Sequence, residues 1–231
     1  MIFRQLCDRE TCSYTYLLAC ERTREAVVID PVIEQVGRDA TLLEELGLSL
    51  VATLETHVHA DHITGGGQLR DQTGAKFGVS AAGQVGGAEL QLVGGDTIRF
   101  GDHELEVRAT PGHTSSCLSY YLAEAGIIFT GDALFIRGCG RTDFQEGDSH
   151  TLYRSVHAQI LSLPGPTRIY PGHDYKGLTV STVAEEKEFN PRLGGGRTAA
   201  DFVAIMDALN LDDPEKLAIA VSANQSCGGA T

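Results

Sequence analysis

Short apolar runs that end in a polar or glycine-containing turn recur along the chain. The run 26–29 (AVVI) meets Asp30-Pro31, and 50–54 (LVATL) meets Glu55-Thr56-His57. The alternating 105–109 (LEVRA) leads to Pro111-Gly112-His113, 126–129 (GIIF) to Thr130-Gly131-Asp132, and 168–170 (RIY) to Pro171-Gly172-His173. Continuous or alternating β-branched runs of this length, punctuated by Gly and Pro, predict strands.

Helical spacing lies between these runs. Val36, Ala40, Leu43 and Leu46 predict a helix over 34–46 stopped by Gly47, and Leu152, Val156, Ile160 and Leu163 predict one over 149–163, with Ser149 as N-cap and Pro164 beyond. Two more are predicted over 180–189 and 198–209. Strands mixed with helices throughout predict a layered α/β fold. With no repeat and no Pro- or Ser-rich linker, the expected organisation is one domain over 1–178 with a helical appendage, 179–231, packed on it. Gly194-Gly195-Gly196 is the best hinge candidate.

Composition narrows the function. The 231 residues carry 18 Lys+Arg against 31 Asp+Glu, a formal charge of −13, which argues against nucleic acid or an anionic membrane as partner. No apolar run approaches a membrane span. The first residues show neither a signal-peptide core nor a transit sequence, so a cytoplasmic protein is expected. The six cysteines are scattered and dilute, which predicts reduced thiols rather than a disulfide framework.

The run Thr56-His57-Val58-His59-Ala60-Asp61-His62 is the most informative stretch. From this chain's own His and Asp frequencies, an HxHxDH pattern would arise by chance in about 6 of 10,000 such chains. Four ionisable groups in six residues after an apolar strand cannot all be buried without partners, and a divalent metal resolves that conflict. His57 and His59, spaced by two, would point the same way on extended backbone. Asp61 and His62 would lie where the next helix begins. His113, Asp132 and His173 each follow a glycine at a strand end, where sites gather in α/β sheets. On residues alone, a dinuclear site made by His57, His59, Asp61, His62, His113, Asp132 and His173 is as reasonable as a mononuclear one. Gly65-Gly66-Gly67 would form either a tight turn beneath this loop or an anion cradle. His103, His150 and His157 read as surface or packing residues. No P-loop, GxGxxG or GxSxG signature is present.

HVHADH, PGHT, TGD and PGHD, in this order, resemble the metallo-β-lactamase superfamily, which implies a four-layer αββα sandwich. The segment GDALFIRGCGRTDFQ at 131–145, the NPRL at Asn190-Pro191-Arg192-Leu193 and the tail ANQSCG at 223–228 are similar to the persulfide dioxygenases. Glyoxalase II, a hydroxyacylglutathione hydrolase with a dinuclear site, is the alternative. It usually continues Gly-Cys-Gly-Arg with Phe-Phe-Glu-Gly and carries a larger helical C-terminal domain.

The dioxygenase resemblance implies one Fe(II) per chain held by His57, His113 and Asp132, a 2-His-1-carboxylate triad with open positions. It implies oxidation of glutathione persulfide by O₂ to sulfite and glutathione. His59, Asp61, His62 and His173 would then orient ligands and water. A homodimer is also implied. Because the acidic chain must still hold an anionic tripeptide, Arg192 and Tyr175, then Arg137, Arg141 and Lys176, are the substrate-binding candidates. Thr130 is expected to steady the Asp132 loop. Cys139, between two glycines with no base fixed beside it, is expected to be structural or oxidation-sensitive rather than a nucleophile.

Overall fold

The computed structural model describes residues 1–212 and 216–229, in two compact units. The first comprises Met1–Leu92, Thr97–Glu104 and the described residues 216–229; the second comprises Val93–Asp96 and Leu105–Asp212.

The first unit carries a six-stranded sheet in the order β1-β2-β3-β4-β5-β6. Its strands are β1 Ile2–Cys7, β2 Tyr14–Ala19, β3 Glu25–Ile29, β4 Ser49–Leu54, β5 Lys76–Ser80 and β6 Leu90–Leu92. The first three are antiparallel and β3 to β6 are parallel. All six residues of β2 are buried, as expected of a strand covered on both faces. Helices α1 Val36–Glu45 and α2 Gly66–Thr73 cover one face, packing Val36, Leu43 and Leu69 on Leu17, Ala26 and Val28.

The second sheet runs β12-β11-β10-β9-β8-β7. Its strands are β7 Thr97–Phe100, β8 His103–Ala109, β9 Leu118–Leu122, β10 Ile127–Gly131, β11 Arg168–Pro171 and β12 Ser181–Thr182. Helices α3 Ser149–Gln159, α4 Val183–Phe189 and α5 Ala199–Asp207 build an apolar cluster on one face of it. There Leu152, Val156, Val183, Phe202 and Met206 meet Tyr121, Ile128 and Ile169. The last helix, α6 Leu217–Asn224, belongs to the first unit. Residues after 178 are thus shared: β12, α4 and α5 fall in the second unit and α6 in the first.

Several expectations shift. The residue capping α3 is Asp148, not Ser149: its carboxylate accepts from Thr151 N, a charge-assisted bond at the helix N-terminus. The helix expected from 180 starts at Val183, because Ser181 and Thr182 pair with β11 first. The helix expected at Asp61 starts at Gly66, so the histidine run is an irregular loop. Gly194 is packed rather than hinged, since a Cβ there would meet Asn190 N at 2.9 Å. Gly66 also fills a close approach: a Cβ would lie 2.5 Å from the Phe77 ring and 2.9 Å from Glu55 Oε1. That favours the tight turn over the anion cradle.

Candidate metal centre

In the first unit, β4 ends at Leu54 and delivers Glu55 to His62 as a loop that is buried except at Ala60 and Asp61. His57 and His59 lie side by side with ring centroids 4.1 Å apart, although their backbone is not strand. Proton accounting fixes the His57 tautomer. The Thr56 hydroxyl donates to Asp30 Oδ2 at 2.8 Å, so its lone pair accepts from His57 Nδ1–H at 3.0 Å. The lone pair of His57 therefore sits on Nε2, free of that hydrogen bond and of the kind that could bind a metal. Asp30 also accepts from Thr56 N at 2.7 Å and holds this arrangement from a left-handed backbone, φ +50°, at the end of β3.

His59 is anchored more strongly. Its Nε2 lies 3.2 Å from both Asp30 Oδ1 and Glu55 Oε2, all three residues being buried. Burial opposes an imidazolium there, yet the two carboxylates raise the His59 pKa well above its ordinary value. Burial lifts the Glu55 carboxyl to about 7 against the opposing pull of His59. His59 Nδ1 is buried with no hydrogen-bond partner among the described residues. Ligand atoms of His59, Asp61 and His62 fall within 4.8 Å of one another, and His62 Nδ1 lies 3.0 Å from Asp61 Oδ2.

In the second unit, three strand ends converge. The register of β10 on β11 shifts between Phe129 and Gly131, a bulge that turns Asp132 out of the sheet. Thr130 is fully buried, its hydroxyl donating to Leu134 O at 2.7 Å. His113 Nδ1 donates to Arg141 O at 2.7 Å, leaving its lone pair on Nε2, 3.6 Å from Asp132 Oδ2. His173 Nε2 lies 3.6 Å from Asp132 Oδ1. Asp132 Oδ1 is buried and accepts no hydrogen bond from the described residues. A spacing of 3.6 Å is long for a hydrogen bond but suits two donors that share a cation at ~2.1 Å from each. Imidazole nitrogens with a carboxylate are a donor set for Fe(II) or Zn(II) alike.

The substrate candidates separate by charge partner. Arg137 donates to Glu186 and Glu185, so its charge is engaged. Arg141 forms a two-bond pair with Asp143, 2.6 and 2.7 Å, and lies over the Phe144 ring. Half-buried Arg192 donates to Cys139 O at 2.9 Å and has no carboxylate partner among the described residues. Lys176 is exposed, and Tyr175, 70% exposed, stacks on His173 with planes 8° apart. Cys139 is buried against Met206, and burial pushes its thiol up to about 11, the wrong direction for a nucleophile. All six cysteines are free, and no described helix is long and apolar enough to cross a membrane.

Sequence reasoning missed Asp30, Glu55 and Asn224. The first two sit one residue past strand ends and carried a signal there, a carboxylate directly after an apolar run. Asn224, in the tail, carried none beyond its place in the ANQSCG segment.

Comparison with known proteins fits this geometry. The family model for the metallo-beta-lactamase superfamily matches residues 11–173. The mitochondrial persulfide dioxygenase ETHE1 of Mus musculus is 51% identical over 231 residues, covering 100% of this chain and 90% of that protein. The crystal structure of ETHE1 from Myxococcus xanthus superposes with a TM-score of 0.96 at 50% identity, covering 99% of this chain and 100% of that one. A hydroxyacylglutathione hydrolase of Brucella ovis matches at 40% over 139 residues, 58% of this chain and 51% of that protein. The expected α/β class is therefore the fold found, two mixed sheets flanked by helices. The chain belongs to the metallo-β-lactamase superfamily and, within it, to the persulfide dioxygenase family.

Proposed function

We propose that this chain is a persulfide dioxygenase: glutathione persulfide, O₂ and water become glutathione, sulfite and two protons. One observation carries the reading, the 51% identity sustained over all 231 residues with a persulfide dioxygenase. The hydrolase likeness is lower and stops at 139 residues.

His57, His113 and Asp132 would hold one Fe(II) per chain. Iron so held supplies open coordination positions and a redox couple that lets O₂ react with a closed-shell sulfur. The chain's own groups prepare these donors. Thr56 and Asp30 fix the His57 tautomer, and the Arg141 carbonyl does the same for His113. His59, Asp61, His62 and His173 orient neighbouring ligands and water.

Arg192 is assigned to a substrate carboxylate, because its guanidinium carries no carboxylate of its own among the described residues. Tyr175 and Lys176 provide an exposed rim for the tripeptide. Arg137 and Arg141 would have to release Glu185, Glu186 and Asp143 to join them, so they rank lower. Thr130 steadies the Asp132 loop and Cys139 packs beneath it. A homodimer in the cytoplasm completes the proposal; reduced thiols suit that compartment, whereas the mouse relative is named mitochondrial.

An oxygen electrode tests the reaction. Protein loaded with Fe(II) should consume O₂ only when glutathione persulfide is added, with sulfite formed in step. Anaerobic cleavage of S-lactoylglutathione without O₂ uptake would instead support the hydrolase.

A further inference from the structure

The histidine loop is held from the far end of the chain. Asn224, the last residue of α6, is 4% exposed. Its Oδ1 accepts from Thr64 N at 2.8 Å, and its Nδ2 donates to His59 O at 2.9 Å and His62 O at 2.8 Å. One carboxamide thus bonds three backbone groups of the loop, one N–H and two carbonyls. The residues it grips bracket Asp61 and lie directly beyond His57.

The chain after Asn224 stays against the same region. A Cβ on Gly228 would fall on the Thr64 carbonyl, and one on Gly67, in the first turn of α2, would fall on the Cys227 carbonyl. Gly228 also has φ +75°. Cys227 packs with Val58, Phe77 and Val79, and its thiol donates to Gly86 O at 3.3 Å. Glycines at both contacts let the tail lie close enough for the carboxamide to reach the loop.

We infer that Asn224 is a positioning residue: its three hydrogen bonds set the path of the 59–64 loop and, through it, the metal affinity of the centre to which His57 contributes. The inference rests on the metal-centre reading above, and only a carboxamide supplies the pattern. Aspartate would set a carboxylate oxygen against two carbonyls, and alanine would leave three polar backbone groups without partners.

Two measurements on full-length Asn224→Ala and Asn224→Asp decide it, with Ile219→Ala, an exposed position of the same helix, as control. In metal-free protein, hydrogen exchange over 59–64 should quicken in both variants and stay unchanged in the control. Anaerobic titration with Fe(II) against a chelator should show affinity weakened ~10- to 100-fold, while KM for glutathione persulfide of fully loaded enzyme moves less than about twofold. The near-isosteric aspartate keeps the test alive should the alanine variant fail to fold. Unchanged exchange, or unchanged affinity, overturns the inference. Failure of the metal-centre reading looks different: unmodified chain would itself take up no iron, whatever the loop exchange shows.

Discussion

The two donor platforms are built differently. In the first unit, four of the seven expected ligands lie on one six-residue loop, held by side chains: Asp30 and Thr56 on His57, Asp30 and Glu55 on His59, Asn224 on the backbone. In the second, the three other expected ligands come from three separate strand ends, held mainly by backbone bonds and glycines, with the Thr130 hydroxyl beside them. Gly140 N donates to Asp132 O and Gly172 N to Gly131 O, both at 2.8 Å, and Gly112 O accepts from Asp148 N at 2.9 Å. A Cβ on Gly172 would lie 2.5 Å from Asp132 Oδ1, and one on Gly140 2.7 Å from His113 Nδ1. A side-chain brace can be weakened in steps, because one hydrogen bond of several is lost. A glycine brace has no intermediate state, because any side chain collides with the ligand or the backbone behind it.

Asp132→Ala should have the largest effect, since it removes the carboxylate that His113 and His173 both face. Iron retention after desalting should fall to background; retention of bound iron would remove Asp132 from the ligand set. Gly112→Ala comes next. Gly112 has φ +133° and its Cβ would land on the Leu152 backbone, so denaturant unfolding should show a loss on the order of 3 kcal/mol or more. A loss below about 1 kcal/mol would break the distinction between the platforms.

Thr56→Val sharpens it from the other side. Losing the hydroxyl relay between His57 and Asp30 should weaken Fe(II) binding ~10-fold while the fold survives, as circular dichroism and titration would show. Arg192→Ala should raise KM for glutathione persulfide ~10-fold with kcat nearly constant, the signature of lost uniform binding. An unchanged KM removes the assignment. Cys139→Ala should have the smallest effect, with kcat within about twofold of the unmodified enzyme. With its thiol at about 11, Cys139 is protonated at pH 8 and should resist alkylation in native protein. Rapid modification with loss of activity would make it more than a packing residue.

The difference in construction also explains what could be read from the sequence. Candidate ligands crowded into one loop leave a signature that chance does not imitate, and apolar runs closed by Gly or Pro marked the strands that carry the other candidates. Supporting groups left a weaker trace. Asp30, Glu55 and Asn224 come from three distant stretches, and only folding brings them to His59. Charge pairing was the least legible feature: the sequence ranked Arg192 ahead of Arg137 and Arg141 by its place in NPRL, and only the structure supplies the physical reason, that Glu185, Glu186 and Asp143 engage the other two. Helix starts shifted wherever a local bond competed, as when β12 formed ahead of α4.

The proposed reaction needs a single ferrous centre. Metal-free protein titrated anaerobically with Fe(II), then assayed for persulfide-dependent O₂ uptake, decides whether it has one. Activity should rise in proportion to iron and level off at ~1 equivalent per chain, the loading of a 2-His-1-carboxylate site. A plateau only at ~2 equivalents, or full activity with zinc alone, would indicate the paired-metal chemistry of a hydrolase and contradict the account.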